Sequence, residues 1–325
     1  MTKTVDLHCD TIVKAHRVKE PLRDNDLHVS LNKLRQGGAL AQCFAMYIAK
    51  RFETEPSLTG DPMMDRYEVI LSHFKKEMAE NRDMIRQALT VEDITENDKN
   101  GLISAILTME EGAIVGNDLG KLDRFHADGV RIFGFTWNYE NTLGYPNSLD
   151  ADVMNKGLKP LGIEAVEKLN KLGIAIDVSH LNDGGFYDVA KYSKKPFFAT
   201  HSNARSLCAR TRNLTDDQLR ILGETGSVTG LNFCDVFMRL KSPDEPRILL
   251  VEDIVRHAKY IVDKAGEDAL AFGSDFDGID NELEFKDASG MQQVVQALSR
   301  HFTSSQLEKI CYKNALRVLK DVQNV

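Results

Sequence analysis

The residues best suited to chemistry near the N-terminus are His8 and Asp10, which end a strand-like segment that begins at Val5. Side chains alternate between the two faces of a strand, so residues two apart project from the same face. An imidazole and a carboxylate that project together can ligate a divalent cation such as zinc. The pair alone is a weak signal, because strands with one histidine and one nearby acid are common. A metal site therefore requires further ligands elsewhere in the chain.

Four more apolar runs are followed directly by metal-competent groups. Two of them lead into His180 and His201, and two lead into Glu110 and Asp275. One such histidine is more often a satisfied core residue than a ligand, but five strand ends with suitable groups favour one shared site. Three histidines, an aspartate and a glutamate exceed the usual three protein ligands of a single catalytic zinc. The excess predicts two ions bridged by a carboxylate.

Eight strand-like segments position these residues, and each is followed by a segment that can form a helix. Near-continuous apolar runs such as 174–178 are typical of parallel strands buried on both faces. The predicted strands are 4–10, 38–48, 102–110, 130–137, 174–180, 197–201, 226–233 and 269–275. The predicted helices are 63–88, 118–127, 157–172, 183–193, 215–224, 250–265, 289–299 and 304–320. Residues 51–66 form the longest irregular segment and are predicted to be a surface excursion.

Strict alternation of strands and helices predicts an α/β protein with a parallel sheet, and eight units predict a closed (β/α)8 TIM barrel. No linker or low-complexity tract divides the chain, so residues 1–325 are expected to form a single barrel domain. An open, doubly wound sheet is the alternative. Enzymes with a (β/α)8 barrel carry their active site at the C-terminal ends of the strands, which is where the metal-competent groups of all five strands fall.

Composition is that of an ordinary globular chain and argues against several other classes of protein. Hydrophobic residues make up 42% and charged residues 28%, which permits a sizeable core. A net charge of −8 argues against nucleic acid or an anionic membrane as the main partner. No apolar run suits a membrane span or a signal peptide. The five scattered cysteines include no Cys-x-x-Cys pair, so we expect a cytoplasmic protein.

Taken together, the motifs resemble the membrane (renal) dipeptidase family, the zinc dipeptidases of peptidase family M19, over almost the full length. The motifs that carry the resemblance include Asp6–Asp10, Met109–Gly112, Thr136–Asn138, Asp177–His180, Thr200–Ala204, Arg212–Asp216 and Gly273–Gly278. The resemblance implies a barrel of the metallo-dependent hydrolase type that hydrolyses dipeptides, both L,L and L,D. It also implies a homodimer, by analogy with the family.

The resemblance further implies a binuclear zinc centre with a bridging hydroxide that attacks the peptide carbonyl. The implied ligands of two Zn²⁺ per chain are His8 and Asp10 for one ion, His180 and His201 for the other, and Glu110 as the bridge. Glu111 would then be a neighbour of the site and not a ligand, since the family's motif has the acid first.

Two further residues acquire roles from the resemblance. Asp275 corresponds to the acidic residue beside the bridging water, where a carboxylate can pass a proton to the leaving amine. Arg212 corresponds to the arginine that receives the terminal carboxylate of the dipeptide, a group that a guanidinium can bind bidentately. For Asp277, a turn residue before Gly278 is the better interpretation.

One position departs from the family pattern. Trp137, the only tryptophan of the chain, stands where mammalian relatives carry a histidine that contacts the substrate carbonyl. An indole donates one hydrogen bond but cannot become cationic, so we expect a changed substrate profile rather than a changed reaction. Two alternatives stay open. One is another C–N hydrolysis of the amidohydrolase type, on an N-acyl-amino acid or a lactam, and the other is a metal-binding scaffold without turnover.

Overall fold

In the computed structural model, which describes residues 1–240, 242 and 244–324, eight parallel strands close into a barrel. The barrel strands are β1 (Thr4–Cys9), β2 (Ala39–Tyr47), β3 (Ile103–Glu110), β4 (Val130–Gly134), β5 (Ala175–Asp177), β6 (Phe198–Ala199), β7 (Val228–Leu231) and β8 (Leu270–Phe272). Each strand pairs with the next, and the pairing of Asp6 with Phe272 closes β8 onto β1. The predicted (β/α)8 barrel is therefore confirmed, and each predicted strand contains an observed one.

Helices surround the barrel. They are α1 (Thr11–Val18), α2 (Leu31–Gly37), α3 (Pro62–Glu80), α4 (Val91–Lys99), α5 (Lys121–Ala127), α6 (Ala151–Met154), α7 (Pro160–Leu172), α8 (Asp183–Tyr192), α9 (Asp216–Thr225), α10 (Asp235–Met238), α11 (Val251–Ala265), α12 (Met291–Leu298), α13 (Ser304–Glu308) and α14 (Asn314–Gln323). Short 3-10 helices occupy Lys50–Thr54, Gly112–Val115 and Ala288–Gly290, and a π-helical turn occupies Lys309–Lys313. Among the helices of the described part, none has both the length and the apolar character that crossing a membrane requires.

Three short strands lie outside the barrel. Ile85–Gln87 pairs with the first three residues of β3, and Ile248–Leu249 pairs with Glu282–Leu283. The strand Ile85–Gln87 shows that the predicted helix 63–88 extended too far at its C-terminal end. Helix α3 ends at Glu80, and the chain turns at Asn81, whose carbonyl oxygen accepts a hydrogen bond from the amide of Met84. The chain then enters the sheet.

The segment predicted as an irregular excursion, residues 51–66, is more ordered than expected. It contains most of the 3-10 helix Lys50–Thr54 and the first turn of α3. Phe52 and Met63 are buried, so both ends of the segment pack against the core. Only residues 55–61 are irregular.

All eight barrel strands contribute buried apolar side chains to one cluster together with α14. The cluster includes Leu7, Cys43, Ile106 and Phe198, and α14 adds residues such as Val318. Because every strand contributes, this cluster fills the interior of the barrel, and α14 packs against it. Polar side chains lie at the C-terminal ends of the strands, beyond this apolar cluster.

Candidate metal centre and active site

Three histidines converge on Glu110, the last residue of β3. The Oε1 atom of Glu110 lies 3.0 Å from His180 Nε2 and 3.8 Å from His201 Nε2, and its Oε2 atom lies 3.8 Å from His8 Nε2. The Nε2 atoms of His180 and His201 are themselves 2.9 Å apart. All four side chains are buried. One carboxylate therefore faces two imidazoles with one oxygen and a third imidazole with the other.

Two aspartates complete the cluster on the side of His8. The Nε2 atom of His8 lies 3.9 Å from Asp10 Oδ2 and 3.9 Å from Asp275 Oδ1. A Cβ atom on Gly278 would lie 2.2 Å from Asp10 Oδ2 and 2.3 Å from Asp275 Oδ1. The missing side chain at Gly278 therefore leaves the space into which both carboxylates project. Candidate donor atoms within 4.8 Å of one another form two groups, His8 with Glu110 and His201, and His8 with Asp10 and Asp275.

Two buried ring nitrogens of this cluster lack hydrogen-bond partners among the described residues. These are His8 Nε2, which faces the carboxylates, and His180 Nδ1. A buried polar atom without a partner costs about 1–3 kcal/mol, so an additional partner is expected at His8 Nε2. A divalent cation meets this requirement, and imidazoles with carboxylates are ligands that zinc accepts. The residues present thus fit the metal that the sequence predicts.

Burial and neighbouring charges set the protonation states of the three histidines. It lowers the pKa values of His180 and His201 well below the usual range, so both imidazoles are neutral and can act as ligands. Burial alone would also lower the pKa of His8, but the charges of Glu110, Asp10 and Asp275 raise it to about 10. A cation at the same position would supply the positive charge that the three carboxylates favour.

Asp177 and Thr200 orient His201. The Thr200 hydroxyl donates to Asp177 Oδ2 at 2.6 Å and lies 2.7 Å from His201 Nδ1. Because its hydrogen is directed to Asp177, the hydroxyl must accept the proton of His201 Nδ1. The Nε2 atom of His201 is then the unprotonated nitrogen, and it lies 2.9 Å from His180 Nε2 and 3.8 Å from Glu110 Oε1. Such outer contacts typically fix both the tautomer and the ring orientation of metal-binding histidines.

A second set of contacts fixes Asp275. Asp6 accepts the amide and the hydroxyl of Ser274, at 2.8 and 2.6 Å, which holds the end of β8 against β1. The amide of Asn232 donates to Asp275 Oδ2 at 2.9 Å, so the other oxygen, Oδ1, faces His8.

Asp275 adopts a φ of 62°, in the left-handed region that favours glycine. Burial raises its pKa to about 6, with the charge of His8 acting in the opposite direction.

Arg212 lies against the same cluster, on the loop between β6 and α9. One guanidinium nitrogen is 3.1 Å from His180 Nε2, and the other donates to the carbonyl oxygen of Ser179. The guanidinium carbon lies 5.6 Å from the ring centre of Phe237. Burial lowers the pKa of Arg212, and the charges of Asp275, Asp177 and Glu110 oppose this effect. The structure thus brings Arg212 beside the histidines that sequence analysis grouped with it.

Glu111 and Asp277 lie beside the cluster and bind the protein itself. The carboxylate of Glu111 accepts the amide of Ala113 at 2.9 Å and the side chain of Asn141 at 2.8 Å. The buried carboxylate of Asp277 accepts the Thr11 hydroxyl at 2.6 Å and the amide of His28 at 2.8 Å. Asp277 therefore does more than the predicted turn, because it ties the segment around His28 to the end of β8.

Trp137 belongs to an aromatic wall beside the cluster, which we define as Tyr47, Trp137 and Tyr139. Its ring centre lies 4.9 Å from that of Tyr47 in an edge-on contact, 5.8 Å from Tyr139 and 6.3 Å from His180. Tyr47 pairs in register with Glu110 across β2 and β3. The wall is partly exposed, so it can contact a molecule bound next to His180.

Sequence analysis did not assign a role to Asn232, Asp177 or Thr200. Asp177 and Thr200 belong to motifs on which the family resemblance depends, so their position at strand ends was a usable signal. Asn232 directly follows β7, one of the strand ends for which no polar group was considered. Its position immediately after an apolar strand was the same signal that identified His201 and Asp275.

The chain is similar in sequence and in fold to known proteins. Residues 1–325 match the family model described as Membrane dipeptidase (Peptidase family M19). An uncharacterized protein in the pqqA 5′ region of Klebsiella pneumoniae is 35% identical over 276 residues, which cover 82% of this chain and 99% of that protein. Dipeptidase tcpJ of Claviceps purpurea is 28% identical over 311 residues, which cover 94% of this chain and 72% of that protein.

A solved structure with a similar fold is a metallo peptidase from Rhodobacter sphaeroides, bound to a phosphinate mimic of the dipeptide L-Ala-D-Ala. It superposes with a TM-score of 0.87 at 26% identity, covering 99% of both chains. The crystal structure of the dipeptidase AC, of family M19, superposes with a TM-score of 0.88 at 27% identity, covering 100% of this chain and 99% of that one. The predicted family is confirmed: the chain belongs to the membrane dipeptidase family, peptidase family M19, and is a hydrolase that acts on peptide bonds.

Proposed function

We propose that the protein is a metal-dependent dipeptidase that works with two zinc ions per chain. The observation that carries the proposal is the position of Glu110, whose two oxygens face different histidines, His180 and His8. A carboxylate in this position can serve two ions at once. The second support is the buried Nε2 of His8, which has no hydrogen-bond partner among the described residues and faces three carboxylates, a position that suits a divalent cation.

The proposed ligands are those that sequence analysis grouped. They are His8 and Asp10 for one ion, His180 and His201 for the other, and Glu110 between the two. When bound, zinc supplies Lewis-acid polarisation of the peptide carbonyl and a water of lowered pKa. Each histidine offers its Nε2 atom, and burial keeps His180 and His201 neutral in the form that binds metal.

Asp275 is the proposed acid–base residue. Its Oδ2 atom is held by Asn232, so Oδ1 is the atom free to exchange a proton with a molecule beside His8. A general acid–base group works best when its pKa lies near the working pH, and the pKa of about 6 at Asp275 meets this condition. We infer that Oδ1 accepts a proton from the attacking water and passes it to the nitrogen of the leaving amino acid.

Arg212 is the proposed reader of the substrate's free C-terminus. A dipeptidase must distinguish a terminal carboxylate from a continuing chain, and a guanidinium fork binds that group bidentately. The guanidinium lies 3.1 Å from His180, so a carboxylate bound there would be adjacent to the proposed metal centre. The aromatic wall would contact the side chains of the same substrate.

We propose both L,L and L,D dipeptides as substrates. The L,D part is supported by the Rhodobacter sphaeroides neighbour, whose ligand mimics L-Ala-D-Ala. A cytoplasmic location is also proposed, supported by five buried cysteines that are all free thiols. A homodimer is proposed by family analogy alone.

The test is a panel of L,L and L,D dipeptides, assayed with zinc present and after chelation. A C-terminal amide of one good substrate, an N-acyl-amino acid and a lactam complete the panel. We expect hydrolysis of the free dipeptides, loss of activity on chelation, and a ten- to hundredfold lower kcat/KM on the amide, since one charge-assisted bond is lost. Faster turnover of the N-acyl-amino acid or lactam would favour the broader amidohydrolase, and zinc binding without any turnover would favour the scaffold.

A further inference from the structure

The guanidinium of Arg205 holds the chain on both sides of Arg212. Its Nε atom donates to the carbonyl oxygen of Asn213 at 2.7 Å, and its Nη2 atom donates to the carbonyl oxygen of Thr211 at 3.0 Å. Thr211 and Asn213 are the immediate neighbours of Arg212. The carbonyl groups of the residues before and after Arg212 are therefore both held by one planar, charged side chain.

Asp183 fixes Arg205 in turn. The two terminal nitrogens of Arg205 each donate to a separate oxygen of Asp183, both at 2.7 Å, which is the bidentate arrangement that gives the most directional ion pair. The two side chains are 23% and 18% exposed, so solvent screens the pair only in part. Gln218, in the first turn of α9, also donates to Asp183 at 3.0 Å.

Arg205 and Asp183 together form a clamp. This clamp connects the loop that carries Arg212 to the segment after β5 that carries His180. Asp183 is the first residue of α8, three positions after His180, and the side chain of Asn182 caps that helix by accepting the amide of Gly185 at 2.9 Å. Arg212 and His180 are thus placed relative to the same short segment. One guanidinium nitrogen of Arg212 lies 3.1 Å from His180 Nε2.

Other contacts keep the loop folded without Arg205. The side chain of Asn213 donates to the carbonyl oxygens of Cys208 and Phe237, at 2.9 and 2.8 Å. Ala204 and Leu214 also pair as an isolated bridge across the base of the loop. Removing the Arg205 fork should therefore loosen the backbone around Arg212 without unfolding the loop.

We propose that Arg205, supported by Asp183, is a positioning residue that orients Arg212 toward the C-terminal carboxylate of the substrate. Arg205 itself contacts none of the proposed metal ligands and acts only through Arg212. This inference rests on the proposed function, because it assigns carboxylate binding to Arg212. Bidentate recognition is sensitive to orientation, and misplacement by about 1 Å can cost on the order of a hundredfold in rate.

The test compares Arg205→Lys, Arg212→Ala and the double variant on a free dipeptide and on its C-terminal amide. Lysine keeps the charge but cannot reproduce a planar fork that holds two carbonyls and a carboxylate together. For Arg205→Lys we expect KM on the free dipeptide to rise about tenfold with kcat little changed, which corresponds to loss of alignment in one charge-assisted bond. Rates on the amide should be nearly unchanged, and the double variant should match Arg212→Ala alone.

Arg210→Lys is the matched control, since Arg210 is an exposed arginine of the same loop outside the clamp. It should leave both kinetic constants and the melting temperature at wild-type values. Asp183→Asn disrupts the same clamp from the other side and replaces Arg205→Lys if that variant fails to fold. It should also raise KM on the free dipeptide.

The possible failures are distinct. Equal losses on acid and amide, or a full additional loss in the Arg212→Ala background, would make Arg205 a merely structural residue and overturn the inference. In that case wild-type enzyme would still prefer the acid, and the proposed function would stand. Equal wild-type rates on acid and amide would instead remove the carboxylate role of Arg212, and both proposals would be withdrawn.

Discussion

The Oε1 atom of Glu110 lies 3.0 Å from the Nε2 atom of His180, although Glu110 ends β3 and His180 follows β5, two strands that are separated by β4. The second oxygen of Glu110 remains directed at His8 on β1. One glutamate thus joins histidines from opposite sides of the barrel, and this arrangement underlies the predictions about metal.

The first prediction concerns the stoichiometry of metal. We expect two zinc ions per chain in protein purified without chelators, and His180→Ala should lose one of them, since it removes one ligand from one ion. Glu110→Ala should lose more, because a bridging carboxylate serves both ions. Elemental analysis after dialysis measures the content, with circular dichroism to confirm the fold.

Glu111→Gln is the matched control for these variants. Glu111 is the neighbouring buried carboxylate, but its oxygens accept hydrogen bonds from Ala113 and Asn141. The control should keep both ions. Wild-type protein without metal above background, or a Glu110→Ala variant that keeps two ions, would contradict the binuclear centre.

The second prediction concerns Asp275. Replacing it with asparagine keeps the shape of the side chain but removes the group that exchanges protons. We expect Asp275→Asn to keep metal and fold and to lose roughly 10²–10⁴ in kcat, the range typical of a general acid–base residue. Steady-state kinetics on the best dipeptide measures the effect.

Asp277→Asn is the comparison variant for Asp275→Asn. Its carboxylate accepts hydrogen bonds from Thr11 and His28, so the change should lower the melting temperature while kcat is mostly retained. Near-wild-type kcat in Asp275→Asn would show that the proton is transferred by another group.

Much of the barrel and the cluster could be predicted from sequence because both depend on local patterns. Apolar runs of about five residues define the strands, and a polar residue directly after a run marks the rim. His201 and Asp275 were found in this way. Their metal-binding and catalytic roles stay predictions.

Several helices were not predicted, for identifiable reasons. Helix α1 begins at Thr11, immediately after the predicted strand 4–10, and no side-chain cap or acidic first turn marks its start. Helix α4 does carry a recognisable signal, the capping box of Thr90 and Asp93, that the pattern analysis overlooked. The strand Ile85–Gln87 is too short to give a periodic signal and owes its conformation to pairing with β3.

Individual side-chain contacts around the predicted cluster, between distant parts of the chain, could not be predicted. Asn232 reaches Asp275 across 43 positions, and Arg205 reaches Asp183 across 22. No local pattern indicates such pairs, because they exist only after the strands have been placed side by side. The space at Gly278 is of the same kind, since it is defined by the side chains of Asp10 and Asp275.

The third prediction concerns the space at Gly278 into which the carboxylates of Asp10 and Asp275 project. A Cβ atom at position 278 would come within 2.2 Å of Asp10 Oδ2 and 2.3 Å of Asp275 Oδ1, which is far below van der Waals contact. Gly278→Ala should therefore displace both carboxylates, lower the affinity for metal and reduce kcat/KM by at least tenfold, with a small effect on stability. Metal titration of chelated protein and kinetics on a dipeptide measure these changes.

Gly134→Ala is the control for Gly278→Ala. Its added Cβ would meet its nearest atom, the carbonyl oxygen of Met109, at 3.4 Å, an ordinary contact. This variant should bind metal as the wild type does. Normal metal affinity in Gly278→Ala would mean that the two carboxylates are not required in their present positions.

The fourth prediction concerns the pH dependence of stability and arises from His257 on α11. This fully buried imidazole accepts the amide of Ala204 at its Nδ1 atom, at 3.2 Å, and its Nε2 atom lies 2.7 Å from the carbonyl oxygen of Met238. Burial lowers its pKa from 6.5 to about 4. As the pH falls below 6.5, the unfolded chain therefore binds a proton that the native protein excludes, and stability decreases until the pH reaches about 4.

The shift corresponds to about 3 kcal/mol of stability, lost progressively between pH 6.5 and pH 4. His257→Asn should lower stability at pH 7.5 but lose less on acidification, because asparagine takes up no proton and its oxygen can still accept the amide of Ala204. Urea unfolding at pH 7.5 and pH 5 measures the difference, and exposed His301→Asn is the control that should retain the wild-type dependence. If His257→Asn lost as much stability as the wild type between these two pH values, His257 would be excluded as the source of the acid sensitivity.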